Sequence, residues 1–224
     1  MSTTGTYYAD AADNCVRTYD ASVWATCVEG GQPIIRTATN TWAQIMCASD
    51  SGLYAEEMFV WFDTSDIPAG NVIESATLSL AFIDNYTTVH QFDINCYVGG
   101  AADIIATTDW IKASEMAGKT LVAKYTVTAG FNTWNTYYAL TSQGSALADA
   151  IVKEGKTRLA LVPSALTGGA PDDAHDAFIQ IYPTNAGTTY RPKLVVVHSE
   201  PTGKPMSVLK HFYIPSLGGI NGQL

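Results

Sequence analysis

Phe59 to Phe82 reads FVWFDTSDIPAGNVIESATLSLAF, and its two halves decide the fold. Phe59-Val60-Trp61-Phe62-Asp63 is a β-prone apolar run that stops at Thr64-Ser65-Asp66. Pro68, Ala69 and Gly70 supply a connection, and the chain then alternates. Val72, Ala76, Leu78, Leu80 and Phe82 hold one parity, while Ser75, Thr77 and Ser79 hold the other. That is the pattern of a strand with one face in a core and one in water.

Working outward, the same signals recur. Phe92, Ile94, Cys96 and Val98 alternate with Gln91, Asp93, Asn95 and Tyr97, and Leu121, Ala123, Tyr125 and Val127 share one parity of the next run. Further β-prone runs lie at 21–28, 33–37, 42–47, 57–62, 136–140, 158–162, 178–182 and 193–198. About ten short strands punctuated by Gly, Pro, Asn and Asp predict an all-β antiparallel sandwich. Its expected core includes Val60, Phe62, Leu78, Leu80, Phe92, Ile94, Leu159, Leu161, Ile179 and Val195. Two segments read as short helices closing an end of the sandwich. One is 109–117; the other is 143–154, with Leu147, Ala148 and Ile151 at helical spacing before Gly155.

The order "apolar strand, Ile67-Pro68-Ala69-Gly70, Ser75-Ala76-Thr77-Leu78-Ser79-Leu80", closed by Arg191-Pro192-Lys193-Leu194-Val195-Val196, resembles the DNRLRE family of jelly-roll modules, also classed as carbohydrate-binding modules. The resemblance spans about residues 7–198. It implies a jelly-roll-like sandwich, taken as 1–200, whereas the linker at Pro201–Pro205 and the apolar tail interrupted by Pro215, Gly218, Gly219 and Gly222 make 201–224 a C-terminal extended arm. It says little about activity, because sandwiches host many functions.

Composition narrows the class. In 224 residues, 47% are hydrophobic and 15% charged, so the chain suits one large packed domain. No apolar run approaches the roughly 20 residues that cross a bilayer, and Met1 to Tyr8 lacks the basic and apolar regions of a secretory signal. Cys15, Cys27, Cys47 and Cys96 have no CxxC spacing, and His90, His175, His198 and His211 have no ligand spacing. Buried or half-buried free thiols are expected, with a disulfide pairing Cys15, Cys27 or Cys47 as the alternative, and no zinc site is expected. The net charge of −9 argues against a nucleic-acid partner. Lys204 and Lys210 make 201–224 a +2 segment without acids, leaving −11 on the first 200 residues. Opposite signs on body and tail suit an arm that docks on a neighbouring copy.

Candidate chemistry is sparse. Asp172-Asp173-Ala174-His175-Asp176 offers oxygens suited to calcium, yet it lacks the order of an EF-hand loop and is read as a solvated connection. Glu56-Glu57 precede the apolar run. As neighbours on a strand they point to opposite faces, so they cannot form a carboxylate pair by themselves. There is no G-x-S-x-G elbow, P-loop or G-x-G-x-x-G motif. Exposed rings could stack on sugars: Trp134 with Tyr137 and Tyr138, or Trp24 with Trp42, whereas Trp61 belongs to the core. Asn85-Tyr86-Thr87 matches a glycosylation acceptor and is read as incidental.

The expectation is a non-enzymatic structural virion protein, such as a bacteriophage capsid decoration, neck or tail-associated subunit. It would need no cofactor and no metal, and it would touch neither nucleic acid nor membrane. Its arm would reach other virion proteins or copies of itself through Leu209, Phe212, Tyr213, Ile214, Leu217 and Ile220, with Phe212 and Tyr213 as anchors. Such a protein is assembled in the host cytoplasm, which fits the missing signal, and its body would face outward toward cell-surface glycan. The initial Met and apolar tail favour a complete product. The alternative is a carbohydrate-binding or adhesin module of an extracellular protein.

Overall fold

The structure, a computed structural model, describes residues 1–10, 14–37, 43–49, 52–83, 91–99, 106–128, 133, 135–168, 177–182 and 189–201. Among these, thirteen strands form two antiparallel sheets packed as a sandwich. The smaller sheet runs β1 (Ser2–Tyr8), β13 (Lys193–Ser199), β6 (Val72–Ala81), β9 (Tyr137–Ala139). The larger runs β10 (Thr141–Ser142), β8 (Leu121–Val127), β7 (Phe92–Val98), β11 (Lys156–Pro163), β5 (Leu53–Asp63), β2 (Asn14–Asp20), β3 (Ile34–Thr37).

β5, with 11 residues, is the spine. β2 follows one of its edges, while the other edge takes β4 (Ala43–Ser49) along its first half and β11 along its second. β4 in turn carries β12 (Ala177–Ile181). Two stitches join the sheets. After β1, Ala9 N–H bonds to Pro192 O in the small sheet and Asp10 N–H to Trp61 O in the large one, each at 2.9 Å. At the end of β6, Phe82 bridges Ile181, and Tyr182 N–H bonds to Ala81 O at 2.9 Å.

The interior is built from alternate residues, as strand geometry requires. Met58, Val60 and Phe62 of β5 share it with Leu78 and Leu80 of β6, Phe92 and Ile94 of β7, and Leu159 and Leu161 of β11. Nine of the ten expected core residues are buried. Val195 is the correction: it lies half-buried opposite Thr77, and Leu194 and Val196 face inward instead. Within LVVV the side chains are too alike for alternation to show parity, so register alone sets it. Likewise the start of β6 overruns the core, leaving Val72 53% exposed. Between β7 and β8 the register shifts at Cys96 and Tyr97, and the neighbours Val122 and Ala123 of β8 are both buried.

Residues 21–28 form a turn and a helix, α1 (Trp24–Val28), where the β-prone composition predicts a strand. Asp20 Oδ1 accepts the Ser22 and Val23 N–H groups at 2.9 and 2.8 Å, which ends β2. Trp24, Cys27 and Val28 then fall at i, i+3 and i+4 and bury one helical face. Segment 109–117 is not one helix but two 3-10 turns, Thr107–Asp109 and Ala113–Gly118. The helix expected over 143–154 is reduced to α2 (Ala146–Asp149), with Leu147 and Ile151 buried.

Candidate functional site

Glu56 and Glu57 lie within β5 rather than before it, and both are buried. On one face Glu56 sits directly across from Arg17 of β2. Arg17 Nε donates to Glu56 Oε2 at 2.7 Å, and Arg36 Nη1 of β3 lies 3.5 Å from the same oxygen. Arg17 also reaches Met46 Sδ at 3.4 Å and stands 5.5 Å over the Tyr54 ring, which packs on Tyr19. This is a carboxylate stabilised by two cations and held by neighbouring strands.

Glu57 faces the other way, outward from the sandwich, under residues 107–118. Its Oε2 accepts the Ile111 N–H at 3.0 Å, while Oε1 is buried with no hydrogen-bond partner among the described residues. Burial pushes its carboxyl well above the ordinary range. The Ile111 N–H and Lys119 oppose that shift, and Glu115 adds to it.

The aromatic candidates are divided by the same alternation. Tyr138 pairs with Leu80 and turns inward, stacking on Phe82 at 5.4 Å between centroids and meeting Tyr125 at 5.5 Å. Tyr137 pairs with Ala81 and faces out. The two therefore do not share a platform, and Trp134 lies outside the described residues. Around Tyr137 the sheet gathers residues that sequence spacing does not reveal. Lys193 Nζ is 4.2 Å from the Tyr137 ring centroid, and Tyr8 pairs with Lys193 across β1 and β13. Tyr190 stacks on Tyr182 at 4.7 Å, and the Tyr182 hydroxyl donates to Asn135 Oδ1 at 2.5 Å. The Tyr137 hydroxyl donates to Arg191 O at 2.7 Å. Burial, then the neighbouring Tyr8 and Tyr190, push its pKa up to about 12. The signal for this cluster is the β1–β13–β6–β9 register, a long-range property.

Trp24 is 9% exposed and donates its indole N–H to Gly168 O at 3.3 Å, whereas Trp42 lies outside the described residues. Trp61 is core at 3% exposure. The four cysteines are buried, and none of them is in a disulfide. Asp172–Asp176, Asn85–Thr87 and the arm residues Leu209, Phe212, Tyr213, Ile214, Leu217 and Ile220 also fall outside the described residues. Among the described residues there is no group of three or more His, Cys, Asp or Glu arranged to hold a metal ion, and no helix long and apolar enough to cross a membrane.

No model of a known protein family matches the chain, and no curated protein matches it.

Proposed function

We propose that this chain is a non-enzymatic structural subunit of a virus particle, a bacteriophage decoration, neck or tail-associated protein that displays its sandwich and attaches through residues 204–224. One observation carries the reading. Among the described residues, every strand of both sheets lies between Ser2 and Ser199, and the last, β13, is an internal strand of its sheet. The ladders among the described residues are thus formed within residues 2–199. Yet 204–224 holds Leu209, Phe212, Tyr213, Ile214, Leu217 and Ile220 with a +2 charge, against −11 on the first 200 residues. Apolar residues interrupted by Pro205, Pro215, Gly218, Gly219 and Gly222 cannot build a core of their own, and they suit a partner's pockets. The jelly-roll-like resemblance fits an outward-facing body.

Removing 204–224 tests this. The truncated chain should keep its thermal unfolding transition and lose the higher-mass assemblies of the full chain in analytical ultracentrifugation. Unfolding of the truncated chain would place the segment in the domain's own core. Unchanged assembly would remove the arm.

A second reading, glycan contact by the displayed body, is favoured by the Tyr8–Lys193–Tyr137 cluster beside Tyr182 and Tyr190 on the outer face of the small sheet. Tyrosine rings and an ammonium suit the C–H faces and hydroxyls of sugars. Under this reading Tyr137→Ala and Tyr8→Ala abolish binding in a glycan-array assay that the intact chain passes. A chain that binds no glycan on the array removes it.

A further inference from the structure

The outer face of the large sheet carries a covering that has no place in either ladder. Residues 107–118 make two 3-10 turns rather than a strand. Among the described residues their polar attachments to the rest of the molecule are these. The Trp110 indole N–H donates to Val28 O at 3.1 Å, at the end of α1. Ser114 donates its N–H and its hydroxyl to the two oxygens of Glu29, at 2.8 and 2.6 Å. Trp110, Ile111 and Met116 are buried beneath. The Ile111 N–H in turn donates to Glu57 Oε2. A segment outside any sheet ladder is the kind of unit that opens locally while the rest stays folded.

We propose that Glu57 and residues 107–118 form a proton-controlled strap: the neutral carboxyl seats the segment, and loss of its proton lifts the segment from the sheet. The geometry dictates the direction. Glu57 is fully buried, with one oxygen bonded and the other without a partner among the described residues. A carboxylate in that position would be a buried charge with one hydrogen bond, and proteins avoid such groups by protonating or exposing them. The groups around Glu57 and its strap come from four elements. β2 places apolar Val16 opposite Glu57. From the strap and its end come Lys119, which favours the charge, and Glu115, which disfavours it. From β7 comes the Tyr97 hydroxyl, whose pKa is raised by burial and, to a lesser degree, by Glu57. From the end of α1 comes Glu29, whose carboxylate is occupied by Ser114. Among the described residues no cation forms an ion pair with Glu57 as Arg17 does with Glu56. The way for an ionised Glu57 to regain water is for the strap to move. This inference does not depend on the viral reading, because it concerns the sandwich alone.

Hydrogen exchange of amides 107–119, corrected for the intrinsic rate and followed from pH 5 to 9, tests it in the native chain and in Glu57→Gln. In the native chain, protection of these amides should fall about tenfold per pH unit once Glu57 begins to ionise, as one released proton requires. The amides of β5 and β6 should hold. In Glu57→Gln the protection should be flat with pH. A native strap whose protection does not change with pH overturns the proposal, as does a Glu57→Gln chain that shows the same fall. The Glu57 carboxyl resonance, titrated in the native chain, supplies an answer without any variant. Its midpoint should coincide with the loss of strap protection, and ionisation with protection unchanged would overturn the proposal.

Discussion

Two consecutive carboxyls on β5, buried alike at 1% and 0% exposure, meet two different regions of the molecule. On the face of Glu56, β2 and β3 bring Arg17 and Arg36 to one oxygen. On the face of Glu57, the Ile111 N–H is the hydrogen bond that the carboxyl finds among the described residues, and no cation forms an ion pair with it there. A buried acid can be tolerated through a counter-ion or through a proton, and here adjacent residues take the two routes. Strand alternation alone separates them, since a step of one residue moves a side chain to the opposite face. Counter-ions come from rigid neighbours in the same ladder, so that side is held firmly. The proton-dependent side is covered by a segment without a ladder, so that side can open.

The space between the sheets sets the scale for both. Leu80→Ala, at a fully buried position of β6, should destabilise by about 2–5 kcal/mol in urea unfolding, depending on how far the site collapses. A loss under about 1 kcal/mol would mean that the two sheets do not share one interior. Next in size, Glu56→Gln removes the carboxylate that two guanidiniums share and should destabilise by about 3 kcal/mol at pH 7. Arg17 and Arg36 retain some solvent access, with side chains 18% and 30% exposed, which keeps the loss at the lower end of that class. If Glu56→Gln proves neutral, the contrast between the two faces collapses.

Much of this fold can be read along the chain. The run from Phe59 and the alternation through Phe82 place β5 and β6 and identify Leu78 and Leu80 as core, because a strict period of two has one interpretation. Where neighbours are alike, as in Leu194-Val195-Val196-Val197, parity follows from pairing with β6 and cannot be read locally. The helix at Trp24–Val28 hides in a stretch rich in β-prone residues, and the Asp20 side chain that starts it acts through a turn. The candidate sites are less legible. Glu57 stands at the head of an apolar run, where a charge ordinarily marks solvent, and its burial depends on residues more than fifty positions away. The Tyr8–Lys193–Tyr137 cluster assembles from three distant strands, so no spacing in the sequence signals it.

The effect that grows with pH is also the most direct test. A carboxyl whose folded pKa is raised contributes stability that is fully present below its unfolded value, near 4.5 for Glu57, and is lost as pH rises through the folded pKa. The measurement is the urea-unfolding free energy of the native chain and of Glu57→Gln from pH 4 to pH 9. The two proteins should be nearly equal at pH 4. Above about pH 5 the native chain should lose ground to Glu57→Gln, by no more than about 1.4 kcal/mol per pH unit, until Glu57 ionises in the folded state. Parallel curves across the whole range, or a native chain that gains on Glu57→Gln with rising pH, would contradict the account of a neutral carboxyl beneath the strap.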